Sequence, residues 1–178
     1  SSATQCGACP IGRYGDQTGR VSPSDCTNCP AGKKGALAGQ ASGTLGCAAC
    51  LKGYYQDQGG TVSCIACVAG RYLDEEGESS GSSCTPCSAG RFSGVQGLSA
   101  SSKCAECSTG RYNDQLGQTS SADGCKQCST GMFSAVLGAV QASACTACEA
   151  GRYQDVAGQA SCEQCGAGQY LDKTGQTD

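Results

Sequence analysis

Cys104-Ala-Glu-Cys107-Ser-Thr-Gly110-Arg-Tyr112-Asn-Asp114-Gln-Leu-Gly117, followed by a polar run to Cys125, recurs in nine variants along this chain. Each variant opens on a C-x-x-C pair, with first cysteines at Cys6, Cys26, Cys47, Cys64, Cys84, Cys104, Cys125, Cys145 and Cys162. All eighteen cysteines fall in these pairs. A period held over a whole chain means a repeat architecture. Residues 1–178 therefore read as one continuous array of nine units of about twenty residues.

The composition says what can hold such an array together. Cysteine makes up about a tenth of the 178 residues, glycine numbers 28, Trp is absent and Phe occurs twice. Such a chain cannot bury one large hydrophobic core, so covalent links must replace it. The predicted fold is small, disulfide-rich and mostly β or irregular: an elongated rod or solenoid of tandem hairpins. Disulfides at this density persist in oxidising compartments, which predicts an extracellular or cell-surface location. The net charge of -3 carries no basic patch for nucleic acid, and no apolar run approaches a membrane span.

Within each unit two glycines keep fixed offsets. The first is Gly12, Gly32, Gly53, Gly70, Gly90, Gly110, Gly131, Gly151 and Gly168; the second runs from Gly19 to Gly175. A glycine kept at one offset through nine copies predicts a positive φ or no room for a Cβ. Between them stands an aromatic: Tyr14, Tyr55, Tyr72, Phe92, Tyr112, Phe133, Tyr153 and Tyr170, with Lys34 in the second unit. These residues are predicted to form the small core of each module, packed on the neighbouring disulfide. An exposed binding stripe is the alternative. Asp follows two residues after every one of these tyrosines, as at Asp16 and Asp114, and is missing beside Lys34, Phe92 and Phe133. A bond near the turn from the tyrosine hydroxyl would explain why the two go together. Asp followed by Gly three residues later predicts a turn, with a strand before it and a return strand through the Ser/Thr run. The acidic Asp74-Glu75-Glu76 alone does not supply the fixed ligand spacing of a calcium site. The residue after the first glycine is basic in six units, from Arg13 to Arg152. It reads as a solvated stripe over a neighbouring aromatic, or as a partner-binding ladder.

C-x-x-C pairs at this separation also suit zinc. Zinc would join pairs two at a time, and nine pairs leave one over. It would also make alternate gaps differ, and they do not. Disulfides are the expected state. A bonding rule that treats every unit alike leaves three schemes: within a pair, from the second cysteine to the first of the next unit, or a longer crossed version. The middle scheme closes one hairpin per unit. It predicts Cys9–Cys26, Cys29–Cys47, Cys50–Cys64, Cys67–Cys84, Cys87–Cys104, Cys107–Cys125, Cys128–Cys145 and Cys148–Cys162. It leaves Cys6 and Cys165 for neighbouring segments.

A longer period overlies the short one. The first cysteines are spaced 20, 21, 17, 20, 20, 21, 20 and 17 residues apart. The short third and eighth units share Tyr-Gln-Asp, and the fourth and ninth share Tyr-Leu-Asp. The second and seventh both lack Tyr and Asp. A duplicated block of five units accounts for this. The sequence around Asp178 joined to Ser1 resembles an internal gap, which predicts a window on a longer array or a subunit stacked head to tail.

The motif C-x-x-C-x-x-G-x-[YF], as in Cys107-Ser-Thr-Gly110-Arg-Tyr112, resembles ephrin-receptor-like and tumour-necrosis-factor-receptor-like cysteine-rich repeats. The resemblance implies small disulfide-bonded β units, related in style to EGF-like modules, in stalks, adhesive or matrix proteins, surface filaments and receptor ectodomains. No enzyme signature accompanies it. The chain has no His, the usual general base near neutral pH, and no cofactor is expected. The expectation is an extracellular structural protein that partners copies or segments of itself head to tail. The competing expectation is a receptor or adhesin ectodomain with its ligand at the atypical Lys33-Lys34 or Met132-Phe133. Ser79–Ser83 and Thr119–Ser121 are candidate O-glycosylation sites.

Overall fold

Every C-x-x-C pair runs straight into a turn that the first glycine makes possible. Arg13 N–H donates to the Pro10 carbonyl at 3.0 Å, and Gly12 between them has φ 88°. A positive φ at the third position of a hydrogen-bonded turn defines type II, and glycine enters it without a Cβ clash. No residue other than glycine has a positive φ among the described residues. The computed structural model of the protein describes residues 6–177. The predicted join of Asp178 to Ser1 lies outside the described residues.

The strand after each turn is two or three residues long. Its partner differs from the sequence expectation. The return strand is not the Ser/Thr run. It is the segment at the next C-x-x-C pair: Arg13–Tyr14 pairs antiparallel with Thr27–Asn28, and Arg111–Tyr112 pairs with Lys126–Gln127. The Ser/Thr run is helical instead. It forms single turns at Pro23–Asp25, Gly43–Gly46, Gly81–Ser83, Ser101–Lys103, Ser121–Gly124 and Ala142–Ala144. The reason is local. Ser22, Ser42, Ser80 and Ser120 are extended cap residues whose hydroxyls accept from backbone N–H groups two or three residues on.

These turns account for the irregular spacing. A gap of 20 carries a three-residue 3₁₀ turn, and a gap of 21 carries a four-residue α turn. The two gaps of 17 carry none.

The chain divides into two compact units. One comprises residues up to 85 together with 96–101, and the other comprises 86–95 together with 102 onward. The first contains the hairpins Arg13–Tyr14 with Thr27–Asn28, Lys33–Gly35 with Cys47–Ala49, and Tyr54–Tyr55 with Ile65–Ala66. The second contains Arg91–Phe92 with Ala105–Glu106, Arg111–Tyr112 with Lys126–Gln127, Met132–Phe133 with Thr146–Ala147, and Arg152–Tyr153 with Glu163–Gln164. No sheet exceeds two strands among the described residues. Hairpins this small are marginal on their own.

The buried interior lies beside the aromatics rather than on them. The second cysteine of each middle repeat is buried, from Cys29 to Cys148, and so is the residue just after the aromatic: Gln56, Leu73, Ser93, Asn113, Ser134 and Gln154. Tyr14, Tyr55, Tyr72, Phe92, Tyr112, Phe133 and Tyr153 are half-buried, and Tyr170 is 84% exposed. The aromatics predicted as the core of each module thus form its flank, half-buried except at Tyr170. A strand alternates its faces, so the residue following the aromatic turns inward and the ring lies along the flank. Tyr55 illustrates the arrangement, packing against the cluster of Cys67, Leu73 and Cys84.

Candidate functional site: the repeat junction

The structural chemistry of this chain is concentrated where one repeat meets the next. Eight disulfides cross these junctions, joining Cys9 to Cys26, Cys29 to Cys47, Cys50 to Cys64, Cys67 to Cys84, Cys87 to Cys104, Cys107 to Cys125, Cys128 to Cys145 and Cys148 to Cys162. Each links a second cysteine to the first of the following pair. Each closes a loop worth about 3 kcal/mol on the chain-entropy account. Cys6 is exposed, Cys165 is half-buried, and both are free thiols.

A fixed set of backbone hydrogen bonds accompanies each disulfide. In the first unit Gly39, Gly60, Gly77 and Gly97 donate their N–H to the carbonyls of Cys9, Cys29, Cys50 and Cys67, at 2.8 Å each. In the second unit Gly117, Gly138, Gly158 and Gly175 do the same to Cys87, Cys107, Cys128 and Cys148, at 2.8–2.9 Å. The residue after the aromatic also donates forward, as Asn113 N–H does to the Ala139 carbonyl at 2.9 Å. The chain then returns a bond, from Cys128 N–H to Gly110 O at 2.9 Å. Mixed pairing of this kind satisfies backbone that a two-residue strand cannot satisfy alone.

Contact extends two repeats along. A Cβ built on Gly12 would collide with the Gly60 carbonyl, and one on Gly110 would collide with that of Gly158. The same clash meets Gly32 and Gly53 in the first unit and Gly90 and Gly131 in the second. The first glycine therefore serves two purposes, the type II turn and close approach to a second-next neighbour.

The basic residue after that glycine is a backbone clamp. Arg71, Arg91, Arg111 and Arg152 each donate from Nη1 to the carbonyl of the next repeat's first cysteine, at 2.6, 3.3, 3.1 and 3.3 Å. Arg13 reaches the Pro23 carbonyl at 3.5 Å. These four arginines are anchored to backbone rather than free in solvent.

The buried residue after the aromatic is the position that sequence reading missed. Gln56, Ser93, Asn113, Ser134 and Gln154 each accept a bond from the backbone N–H two residues on, at 2.9–3.3 Å. This shapes the turn that the Asp-to-Gly spacing predicts. A recurrent polar residue at one offset was the available signal. Asp16 instead pairs with Arg20, and Asp114 pairs with Lys126, at 2.8 Å each. The hydrogen bond from Lys126 holds the Asp114 carboxyl below its ordinary pKa and raises that of Lys126. The Tyr153 hydroxyl donates to Glu163 Oε2 at 3.2 Å.

The tyrosines follow a different rule. The helical turn of one repeat lies over the ring of the repeat before it: a Cβ on Gly43 would sit 3.1 Å from the Tyr14 ring, and one on Gly81 2.9 Å from that of Tyr55. The short third and eighth repeats have no turn. The residues they would cover are Lys34 and Phe133, where tyrosine is absent. Phe92 precedes a repeat that has a turn, and nothing in the structure explains its missing hydroxyl.

A family model described as tyrosine-protein kinase ephrin type A/B receptor-like matches residues 38–84 and 138–178. Each matched stretch contains one short repeat, the third or the eighth, and eight tandem disulfides bind these repeats and their neighbours. The chain is a cysteine-rich repeat array of ephrin-receptor-like type. No curated protein matches it. The disulfide density of the array and its ephrin-receptor-like type point to an extracellular or cell-surface location. Among the described residues of the array, no helix is long and apolar enough to cross a membrane.

Proposed function

We propose that this ephrin-receptor-like array is a non-catalytic structural segment of an extracellular stalk, rod or filament. One observation carries the proposal. The same disulfide and the same glycine-to-cysteine backbone bond recur at eight successive junctions. Uniform junctions suit load transmitted along a chain, since each repeat then resists through its neighbours. In this proposal Cys6 and Cys165 bond to further repeats head to tail. Exposed hydroxyls such as Ser79 and Thr119 carry O-glycans, while those of Ser80, Ser82 and Ser120 are engaged in the caps.

Electron microscopy of the native protein without reductant tests the structural role. Long objects with continuous density through Cys6 and Cys165 are expected. Short isolated objects with both thiols free would refute it. Intact-mass analysis tests the glycans separately, and a bare polypeptide mass would remove them.

A further inference from the structure

The absent turn of the eighth repeat leaves a space with definite chemistry. Residues 159–161 form no helical turn, so the Phe133 ring lacks the cover that Tyr14 and Tyr55 receive. A cavity of about 300 Å³ opens there. Phe133 lines it together with Thr146, Glu149, Arg152 and Ser161. Its size reaches the lower end of small-ligand sites, which combine an apolar wall with a few polar groups.

The lining selects among ligands. Glu149 and Arg152 carry opposite charges, so the site favours a neutral molecule. An aliphatic peptide side chain would remove both charges from water and give them nothing in return. A ligand with an apolar face and a rim of hydroxyls suits the set better. The face lies on the aromatic ring. Hydroxyls donate to the Glu149 carboxylate and accept from the guanidinium, which has five N–H donors. One Arg152 nitrogen already bonds the Cys162 carbonyl at 3.3 Å, which holds the group in place.

We propose that this notch binds a single neutral sugar ring, a hexose or pentose residue of a glycan. The proposal stands independently of the structural role above. The chain carries its own control. In the other short repeat Lys34 stands where Phe133 forms the floor, and Leu51 and Tyr54 replace the charge pair.

Saturation-transfer NMR on the full disulfide-bonded chain tests it, using the methyl glycosides of glucose, galactose, mannose and arabinose as probes. At least one glycoside is expected to receive saturation on its ring C–H protons. Phe133→Ala should weaken its binding at least tenfold, and Glu149→Ala, a change at an exposed rim position, at least threefold. Lys34→Ala should leave binding unchanged. Transfer to none of the glycosides overturns the proposal, as does transfer that survives both Phe133→Ala and Glu149→Ala. Binding of N-acetyl-leucine amide at Phe133 in place of the sugars overturns it as well.

Discussion

The short third and eighth repeats and the long repeats around them solve one problem by different means. In a long repeat such as the sixth, a capped turn at Ser121–Gly124 fills the space ahead of Cys125, and the buried residue after the aromatic is the small Asn113. In the eighth repeat that turn is missing, and the buried residue is Gln154. Its amide reaches across to the Ser161 carbonyl at 2.9 Å and also accepts from Val156 N–H at 3.0 Å. Gln56 makes the same two bonds in the third repeat, to Ser63 O at 2.7 Å and from Gln58 N–H at 3.0 Å. A side-chain amide thus takes over backbone contacts that a helical turn provides elsewhere. The lesson is that gap length and the identity of one buried residue change together. The backbone frame tolerates either combination because the disulfide and the glycine bonds are common to both.

The largest effect that bears on this comparison concerns the common frame. Gly110 and Gly77 both have positive φ, 77° and 75°. A Cβ on Gly110 strikes the Gly158 carbonyl, whereas one on Gly77 meets nothing nearer than the Ala49 Cβ at 3.8 Å. Alanine at Gly77 should cost about 1–2 kcal/mol of backbone strain. Alanine at Gly110 should cost about 2–5 kcal/mol, because overpacking adds to the strain. Denaturant unfolding of the two variants measures the difference, and equal losses would eliminate the second-neighbour contact as an energetic term.

Next comes the substitute itself. Gln154→Ala leaves the Ser161 carbonyl without its partner and opens a hole beside it. A loss of about 2–3 kcal/mol is expected, measured by the same unfolding experiment. Inserting a three-residue Ser-led turn before Cys162 should recover most of that loss in the Gln154→Ala background. Failure of the insertion to recover any stability would break the equivalence of amide and turn.

The cap of a long repeat gives a smaller effect. Ser120→Ala removes the hydroxyl that accepts from Asp123 N–H at 3.1 Å. The expected loss is about 1 kcal/mol. The same substitution at Ser161, ahead of no turn, should change almost nothing. Comparable losses at the two sites would mean that capping is not what distinguishes them.

The smallest effect belongs to the pair Asp114–Lys126. Its hydrogen bond lowers the Asp114 pKa in the folded chain. Its contribution is therefore complete above the ordinary aspartate pKa and is lost as pH falls through the lowered value. Both groups are exposed, so Lys126→Met should leave stability unchanged within error while moving the Asp114 midpoint upward in an NMR titration. An unmoved midpoint would remove the pair from consideration.

The sequence by itself determined the period and the demand for glycine, and it narrowed the disulfide pairing to three schemes. Those features are local or follow from symmetry: a type II turn needs glycine at Gly110 whatever surrounds it, and a bonding rule shared by all repeats admits few schemes. The Ser/Thr run was legible as polar but not as helical. Its conformation depends on a cap at Ser120 and on strand partners at Lys126–Gln127 that claim the hairpin's other edge. The tertiary structure alone decided that Asn113 and Gln154 are buried while the aromatic rings lie on the flank. It also decided that Arg111 clamps a carbonyl and that no helical turn lies over Phe133. Each of these depends on a neighbouring repeat supplying, or failing to supply, the atoms opposite. That arrangement is set by packing across junctions, and no single repeat's sequence contains it.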